Sequence, residues 1–462
     1  MPSLKRRWNA EGGYRELLAL AVPLIISTGA WSVQHFVDRM FLAWYSAEAL
    51  AASVPAGLLN FSIMCLFLGV AGYVSTFVAQ YHGAGRPRRI GPTVWQGLYV
   101  SVLGGLFLLA LAPLAEPIFN LVGHDESVRR LEIIYFRILC LGGFPAIAAA
   151  AVSGFFAGLG KPWPVMWINL LSMGVNMSLN YLFIFGRGGF PEMGIAGAGL
   201  ATVLAGTFSL AAFLILIWTP GHNRTYRTLE GWRPEADLFI RLLRYGLPSG
   251  VEMFMDLSGF SIFVLLVGRL GTNDLAATNI ALNINMLAFL PMLGSGLAVS
   301  VLVGRYLGAE RPGLAQKSAY SGFHLTLLYM GLVAAAYVLA PRVFVAPFAA
   351  KADPERFAEI LDLSVVLLRF VAAYSLFDAM SIIFCSAIKG AGDTRFVMLM
   401  LGSVSLGVLI LPTYLAVAVF NFGVKACWLA ATFYSIVLAF AFYSRFRGGK
   451  WRAMRVIESR PV

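Results

Sequence analysis

Long apolar runs separated by short polar turns follow one another along almost the whole chain. Most of these runs reach the roughly 20 residues that a helix needs to cross the hydrocarbon core of a bilayer. Hydropathy, together with the positions of Gly and Pro breakers, predicts twelve membrane-spanning helices, numbered spans 1 to 12. Their predicted limits are 17–44, 51–80, 93–118, 130–157, 163–185, 195–218, 239–268, 275–304, 320–347, 360–388, 396–419 and 423–444.

The composition is that of a membrane protein rather than a soluble one. Of 462 residues, 59% are hydrophobic and 13% are charged, whereas about a quarter of a soluble domain is charged. The mean hydropathy is +0.76. The four cysteines lie inside apolar runs without metal-ligand spacing, which is typical of small core residues. The sequence therefore predicts an all-α polytopic membrane protein.

The longest polar stretch, 221–237, separates span 6 from span 7 and divides the chain into two halves. We therefore expect an N-terminal six-helix bundle over 1–220 and a cytoplasmic linker over 221–237. A C-terminal six-helix bundle is predicted over 238–446, followed by a cytoplasmic basic tail over 447–462.

The two halves are sequence repeats of one another. The matching positions include Pro23 and Pro248, Arg86-Pro87 and Arg311-Pro312 at an offset of 225, and Gly158-x-Gly160 and Gly390-x-Gly392 at an offset of 232. Because each half has an even number of spans, both halves cross the membrane in the same direction. They are therefore predicted to be related by a pseudo-twofold axis along the membrane normal, with the substrate path between them.

The formal net charge of +12 comes from basic residues concentrated in the termini and in the loops on one side. Such an excess of Lys and Arg marks the cytoplasmic side of a membrane protein. It predicts that both termini are cytoplasmic. Because topology accounts for the positive charge, the sequence gives no support for a nucleic-acid partner.

Three acids interrupt the apolar spans: Asp38 in span 1, Asp256 in span 7 and Asp378 in span 10. A carboxylate at membrane depth costs about 2.5–3.5 kcal/mol on insertion scales, so it normally faces a cavity or a polar partner. Polar residues four positions apart share one helix face, which can line a cavity while the rest of the helix meets lipid. The pairs with this spacing are Gln34 with Asp38, Glu252 with Asp256, Tyr374 with Asp378, Asn176 with Asn180, and Asn279 with Asn283.

Motifs for other chemistries are missing from the sequence. It contains no GxxxxGKS phosphate loop and no HExxH metal motif. The glycine-rich GLG and GAG stretches are interpreted as turns between helices. We therefore expect neither an enzyme nor an ATP-driven pump, and no organic cofactor.

Several segments resemble the multidrug and toxic compound extrusion (MATE) family, specifically its bacterial NorM-like branch. GLPSGVEMFMDLSGFSIFVLLVGRLG (Gly246–Gly271) is similar to that family's span 7, and LNYLFIFGRGGFPEMGIAGAGLAT (Leu179–Thr202) to its region of spans 5 and 6. FDAMSIIFCSAIKGAGDTR (Phe377–Arg395) is similar to span 10 and the loop that follows it. The resemblance covers essentially the whole chain.

The resemblance implies a cation-coupled antiporter that exports organic cations, drugs or toxic metabolites, with Na⁺ or H⁺ as the coupling ion. It implies that Asp378 is the acid of the cation site, with Tyr374 as its partner, and that Asp38 is the acid of span 1. Together with Asp256, Asp378 and Tyr374 would form a possible Na⁺ site. The chain departs from the branch at Asp256, where Glu is usual, and at Asn279, where Gln is frequent.

Asn180 also stands where the archaeal-type, proton-linked pattern has Asp, which favours the NorM-like branch. The further polar residues Gln34, Asn176, Asn180, Asn279, Asn283 and Glu252 are predicted to line the substrate cavity. The expected setting is the inner membrane of a bacterium, where the multi-pass chain acts as a monomer within the lipid bilayer.

The sequence leaves two other functions open. A flippase or exporter of lipid-linked oligosaccharides from the same superfamily would carry Arg or Lys along its cavity, whereas the interior charges here are acids. A membrane-embedded enzyme such as an acyltransferase would need a His or a Ser–His pair at membrane depth. Only His35 and His324 lie at that depth, and neither has a partner pattern.

Overall fold

The computed structural model describes residues 4–349 and 354–458. Each of the twelve predicted spans is helical within this part of the chain. Spans 1 to 12 are Tyr14–Tyr45, Ala47–Gly72 with its continuation Val74–Gly83, Ile90–Leu111, Glu126–Leu141 with Gly143–Gly158, Trp163–Ile184, Ile195–Ile217, Ala236–Gly268, Thr272–Gly308, Pro312–Leu339, Pro354–Ala391, Thr394–Val419, and Val424–Arg447. The prediction of an all-α fold is confirmed.

Short helices lie in several connections between the spans, before span 1 and after span 12. The α-helical ones are Leu4–Asn9, Ala115–Val122, Pro220–Tyr226 and Pro341–Ala349, and the 3₁₀ turns are Pro87–Arg89, Ala112–Leu114, Glu230–Trp232 and Lys450–Ala453. Within the described residues, ten helices are long and apolar enough to cross a membrane, or eleven if the two halves of span 4, bent by 43°, count as one. Span 5 (Trp163–Ile184) is the remaining helix, and its Asn and Ser residues lower its hydropathy.

Span 11 is not a regular α-helix. Its residues Ser405–Ile410 and Leu415–Val419 are π-helical, and Pro412 lies in the α-helical turn between them. Proline has no backbone N–H to donate, so it interrupts the regular hydrogen-bond ladder. π-helical turns are rare in proteins overall, but those that occur often lie at functional sites.

Two compact units can be distinguished, each described by itself. The C unit comprises the described residues up to Ile25, Met255–Val303 and Arg311–Met454. The N unit comprises Ile26–Phe254, Gly304–Glu310 and the described residues from Arg455 onward. Spans 1, 7 and 8 thus each contribute residues to both units, and the unit boundaries in spans 1 and 7 follow prolines Pro23 and Pro248.

The predicted boundaries, 1–220 and 238–446, therefore follow the sequence repeat and not these compact units. The predicted linker 221–237 packs within the N unit, because Trp95 of span 3 donates a 2.8 Å hydrogen bond to the Thr228 carbonyl. The predicted tail 447–462 begins where span 12 ends at Arg447, and its last residues, 459–462, lie outside the described residues.

The same packing contacts recur inside both units. A Cβ atom built on Gly97 would lie 2.6 Å from Val74 Cγ2, and one built on Gly322 would lie 2.4 Å from Val299 Cγ2. The two contacts are equivalent, because each residue of the first lies 225 positions before its counterpart in the second. A second equivalent pair joins Gly158 to the Ser75 carbonyl and Gly390 to the Ser300 carbonyl.

The ends of spans 2 and 8 meet in a reciprocal contact within the N unit. A Cβ atom on Gly83 would lie 1.9 Å from the Arg305 carbonyl oxygen, and one on Gly308 would lie 2.1 Å from the Gln80 carbonyl oxygen. Gln80 matches Arg305 and Gly83 matches Gly308 at the same offset of 225. Only residues without a Cβ allow two membrane helices to approach this closely.

Candidate cation and cargo sites

One buried polar cluster lies in the N unit, around Asp38 of span 1. Asp38 is 7% exposed, and Asn176 and Asn180 of span 5 are fully buried. The Asn180 side-chain nitrogen donates to Asp38 Oδ1 and also to Asn176 Oδ1, the latter at 3.0 Å. Asn180 therefore holds the acid of span 1 directly, and Asn176, at spacing i, i+4 on span 5, completes the network through Asn180.

This cluster has unused hydrogen-bonding capacity. Asn176 Nδ2 and Asn180 Oδ1 are buried and have no hydrogen-bond partner among the described residues. The buried phenol of Tyr135 and the charge of Arg39 are close enough to interact electrostatically with Asp38. A carboxylate with neutral amide oxygens can hold a proton, and it also suits a hard cation, which prefers oxygen ligands.

Aromatic side chains lie on span 1 ahead of Asp38 and on span 2 next to it. The Trp31 ring meets His35 edge-on at 4.5 Å and packs against Phe61 at 5.4 Å. Trp31 is 44% exposed, and Gln34 on the same helix is half-buried. An exposed indole near an acid can bind an organic cation through its π face.

A second cluster lies in the C unit, around Asp378 of span 10. The Asp378 side chain is hydrogen-bonded to Ser435 of span 12 and interacts electrostatically with Asp256 of span 7. Tyr374, one turn before Asp378, interacts electrostatically with the same carboxylate. Asp378 is half-buried and Asp256 is exposed. Spans 7 and 10 therefore bring together the three residues for which the resemblance implied a cation site, and span 12 adds Ser435.

The hydroxyl of Tyr374 is buried and has no hydrogen-bond partner among the described residues. Its ring lies 6.4 Å from that of Trp428, whose indole nitrogen donates to the Thr278 hydroxyl at 3.2 Å. The Trp428 contact holds the Tyr374 ring in place while leaving its oxygen available to a ligand. Two carboxylates and this oxygen form a set of hard donors.

The other predicted positions are placed differently. Glu252 is half-buried on the same helix as Asp256 but belongs to the N unit. Asn279 and Asn283 are exposed, and Asn283 donates to the Asn279 carbonyl at 2.8 Å, within its own helix. Across the part of the chain that the structure describes, no three His, Cys, Asp or Glu side chains come together as metal ligands.

Sequence reasoning missed several residues of these clusters, because Ser, Thr and Trp are common in membrane helices. They are Ser435, Trp428, Thr278 and Tyr135. The aromatic pair Trp31 and Phe61 was missed as well. Asn285 of span 8 is a further buried amide outside the predicted set: it is 8% exposed, its Oδ1 has no partner among the described residues, and it falls outside the i, i+4 series of Asn279 and Asn283.

The fold and these clusters define a multi-pass membrane transporter. The sequence model of the MatE family matches residues 23–182 and 248–415, more than half of the chain. The chain belongs to the MatE family. It is 30% identical over 390 residues to the probable multidrug resistance protein NorM of Bradyrhizobium diazoefficiens, covering 83% of this chain and 82% of that protein. It is 31% identical over 400 residues to the multidrug resistance protein PmpM of Pseudomonas aeruginosa, covering 86% and 82%.

Solved structures share the fold at lower identity. A multidrug resistance MATE family transporter in an outward-facing conformation superposes with a TM-score of 0.85 at 19% identity, covering 98% of this chain and 99% of that one. A transporter of the MOP superfamily from Pyrococcus furiosus superposes with a TM-score of 0.86 at 20% identity, with the same coverage. The predicted MATE fold and the NorM-like resemblance are confirmed.

Proposed function

We propose that this transporter exports organic cations, drugs or toxic metabolites in exchange for an inward-moving cation, either Na⁺ or H⁺. The names of the relatives support the cargo class, since they are multidrug resistance proteins. The proposal on coupling rests on one observation, the approach of Asp256 to Asp378 beside the unpartnered hydroxyl of Tyr374.

Two neighbouring carboxylates at membrane depth repel each other, and water screens that repulsion poorly there. A proton on one of them or a cation between them removes the repulsion. In the C unit, Asp378 and Asp256 would supply the negative charge for Na⁺, and Tyr374 and Ser435 would supply neutral oxygens. The same oxygens would hold a proton through hydrogen bonds.

An organic cation can satisfy the same negative charge as the coupling ion. Cargo and coupling ion therefore compete for the same site. Entry of the ion displaces the cargo, and this competition couples export of the cargo to import of the ion. The direction comes from the ion gradient and the membrane potential. A unit charge moving inward releases about 2.3 kcal/mol per 100 mV.

The cluster of Asp38, Asn176 and Asn180 is assigned the supporting role of binding cargo or a second cation in the N unit. Its acid accepts a hydrogen bond from the Asn180 amide and is not paired with a second carboxylate in this cluster. Removal of the Asp38 charge should therefore reduce transport of some cargoes more than others.

The orientation we propose places both termini on the cytoplasmic side of a bacterial inner membrane, with the protein acting as a monomer. The basic residues of the Arg86–Arg89 loop and of the 305–317 loop support this topology. A cysteine at position 89 should be labelled only from the cytoplasm, and labelling from outside intact cells would contradict the orientation.

Transport by purified protein in proteoliposomes tests the function. Extrusion of a fluorescent organic cation should follow an imposed Na⁺ gradient or an imposed pH gradient when each is applied separately. The variant Asp378→Asn keeps the side-chain shape but not the charge, and should lose coupled transport. The matched control is Asp362→Asn on the same helix, where the carboxylate is 76% exposed and 4.0 Å from Arg342.

Transport by Asp378→Asn at the wild-type rate would show that this acid only holds helices together. Movement of a lipid-linked oligosaccharide without any dependence on Na⁺ or pH would favour the flippase function instead. Loss of transport in the Asp362→Asn control would show that the assay reports folding rather than coupling.

A further inference from the structure

The chain beyond span 12 has one anchor in the C unit. After span 12 ends at Arg447, a glycine pair turns the chain, with Gly449 at φ +75°, into the 3₁₀ helix Lys450–Ala453. Trp451 of that turn is 1% exposed and stacks on Phe446 of span 12 at 4.7 Å. Its indole nitrogen donates to the Phe446 carbonyl at 2.7 Å.

A second anchor follows within five residues, and it lies in the N unit. The Val456 backbone nitrogen donates to Gln80 Oε1 at 2.9 Å. Val456 and Ile457 are 1% and 9% exposed and join the hydrophobic core of that unit together with Tyr81 and Leu238. The segment 455–458 is thus bound by both backbone and apolar side-chain contacts.

A carboxylate completes this second anchor. The Tyr81 hydroxyl donates to Glu458 Oε2 at 2.6 Å, and Arg241 donates to the same oxygen at 2.9 Å. Arg89 Nε is 3.2 Å from Glu458 Oε1, and Arg86 donates to the Glu458 backbone oxygen at 3.0 Å. We call the surface formed by Gln80, Tyr81, Arg86, Arg89 and Arg241 the tail socket.

The protonation state of Glu458 fits this arrangement. Burial alone would raise its pKa, but the Tyr81 hydrogen bond, a backbone hydrogen bond and the charges of Arg89 and Arg241 outweigh burial and lower the pKa. At neutral pH the carboxylate is therefore ionised and bound by three arginines.

Two arginines of the tail socket have acidic partners other than Glu458. Arg89 also pairs with Glu235 at 2.6 Å, and Arg241 also pairs with Asp237. When Glu458 leaves, these two arginines keep a carboxylate each. Because departure of an acid is costly mainly when it strands a buried charge, this arrangement allows the segment to leave.

The chain between Trp451 and the bound segment is short. Val456 follows Trp451 by five positions, and a fully extended chain spans at most about 3.3–3.6 Å per residue, so this connection can reach about 17 Å at most. Little freedom is therefore left between Trp451 and the bound segment.

We propose that the tail socket is an intramolecular peptide-binding site, and that its occupant, Arg455–Glu458, is a clasp that opens during transport. The recognised chemistry is a pair of buried apolar side chains followed by a carboxylate. This proposal is independent of the identity of the cargo and of the coupling ion.

Cysteine labelling of the full-length protein in detergent tests the binding. Val456→Cys is introduced after Cys65, Cys140, Cys385 and Cys427 are replaced, and the rate of maleimide labelling is measured. Glu458→Gln should raise that rate about tenfold, in line with the loss of a charged hydrogen bond. Glu235→Gln is the matched control, because it removes a carboxylate from Arg89 without touching the segment, and it should leave labelling slow.

Equal labelling rates in Glu458→Gln and in its parent would show that the Glu458 charge does not hold the clasp in the tail socket, and would overturn the proposal. Opening is tested by joining Gln80→Cys to Val456→Cys through a disulfide or a short bismaleimide. Joined protein should transport at least about tenfold more slowly than unjoined protein, and cleavage of a disulfide should restore the rate. Transport unaffected by joining would show that the segment stays bound throughout. Labelling rates require no transport, so they decide the clasp even if the proposed antiport fails.

Discussion

Asn180 holds Asp38 and Asn176 through a single amide nitrogen, although Asp38 and Asn180 are 142 residues apart in the chain. One side chain therefore joins the acid of span 1 to the amide pair of span 5. All three residues are buried, so water cannot readily replace a bond that is lost. The stability of this corner of the N unit and its polarity both depend on Asn180.

Replacement of Asn180 by Ala should destabilise the protein. It leaves the buried Asp38 carboxylate and the Asn176 oxygen without their shared donor, and such a loss costs about 1–3 kcal/mol. Thermal unfolding in detergent measures the effect. Asn283→Ala is the control, because Asn283 is exposed and bonds only to its own helix, so a change within about 0.5 kcal/mol is expected. Equal stability of the two variants would contradict the role of Asn180.

Replacement of Asp256 by Asn should weaken the dependence of transport on its coupling ion without abolishing transport. Asp378 and its bond to Ser435 remain, but the second negative charge is gone. We expect the half-saturating concentration of the coupling ion to rise about tenfold, which corresponds to about 1.4 kcal/mol. Ion titrations of transport in proteoliposomes measure this, with Asp362→Asn as the unaffected comparison. An unchanged titration curve would remove Asp256 from the cation site.

Replacement of Gly83 or Gly308 by Ala should destabilise the protein at the crossing of spans 2 and 8. The new methyl group would lie about 2 Å from a backbone oxygen in either case, and overpacking of this kind costs about 1–3 kcal/mol. Gly206→Ala in span 6 is the matched control, since nothing lies within 4 Å of its Cβ position. We expect that change to be neutral or slightly stabilising. Thermal midpoints that move equally in all three variants would refute the close crossing.

The bound state of the clasp should depend on pH in a defined direction. The pKa of Glu458 is lowered on docking, so docking is favoured fully above the ordinary carboxyl pKa of roughly 4.3 and is lost as pH falls through the lower docked value. Hydrogen exchange at the Val456 amide, corrected for its intrinsic pH dependence, should show protection at neutral pH and its loss in acid.

The groups that face Glu458 do not interfere with the measurement of its titration. These groups are Arg86, Arg89, Arg241 and Tyr81, and neither guanidinium nor phenol side chains ordinarily titrate between neutral pH and pH 4. Glu458→Gln should show weaker protection that changes little between neutral pH and pH 4. If Val456 protection in this variant fell with pH as steeply as in the wild type, another group would control docking.

Sequence reasoning identified all twelve helices because each is a long apolar run between breakers, and such runs report directly on the bilayer. It could not divide spans 1, 7 and 8 between two compact units, because hydropathy is the same on either side of Ile25 or Phe254. It also treated span 11 as an ordinary helix. The π-helical turns around Pro412 arise from backbone hydrogen bonding that side-chain polarity does not report.

The candidate site was predictable to a similar degree. Rare charges in apolar runs marked Asp38, Asp256 and Asp378, and the repeat of polar residues at i, i+4 marked the amides of span 5. The same spacing marked Asn279 and Asn283, which are exposed, with the Asn283 side chain donating to the Asn279 carbonyl of its own helix, so their place in the substrate cavity stays a prediction. Ser435 carried no signal, since a serine in a membrane span is commonplace, and its bond to Asp378 depends on how spans 10 and 12 pack.

The tail socket could not be predicted from the sequence, for a different reason. Glu458 reads as one acid in a basic tail, and the arginines that bind it come from two distant parts of the chain. Only the tertiary fold brings position 86 and position 241 to position 458. Local patterns cannot reveal a site whose parts are each unremarkable in their own sequence context.

The reciprocal contact of Gly83 and Gly308 is self-complementary. Each glycine meets the backbone of a residue equivalent to the one that its counterpart meets, which is how identical subunits touch across a twofold axis. The same small surface therefore serves as both partners of the contact, once in each sequence repeat.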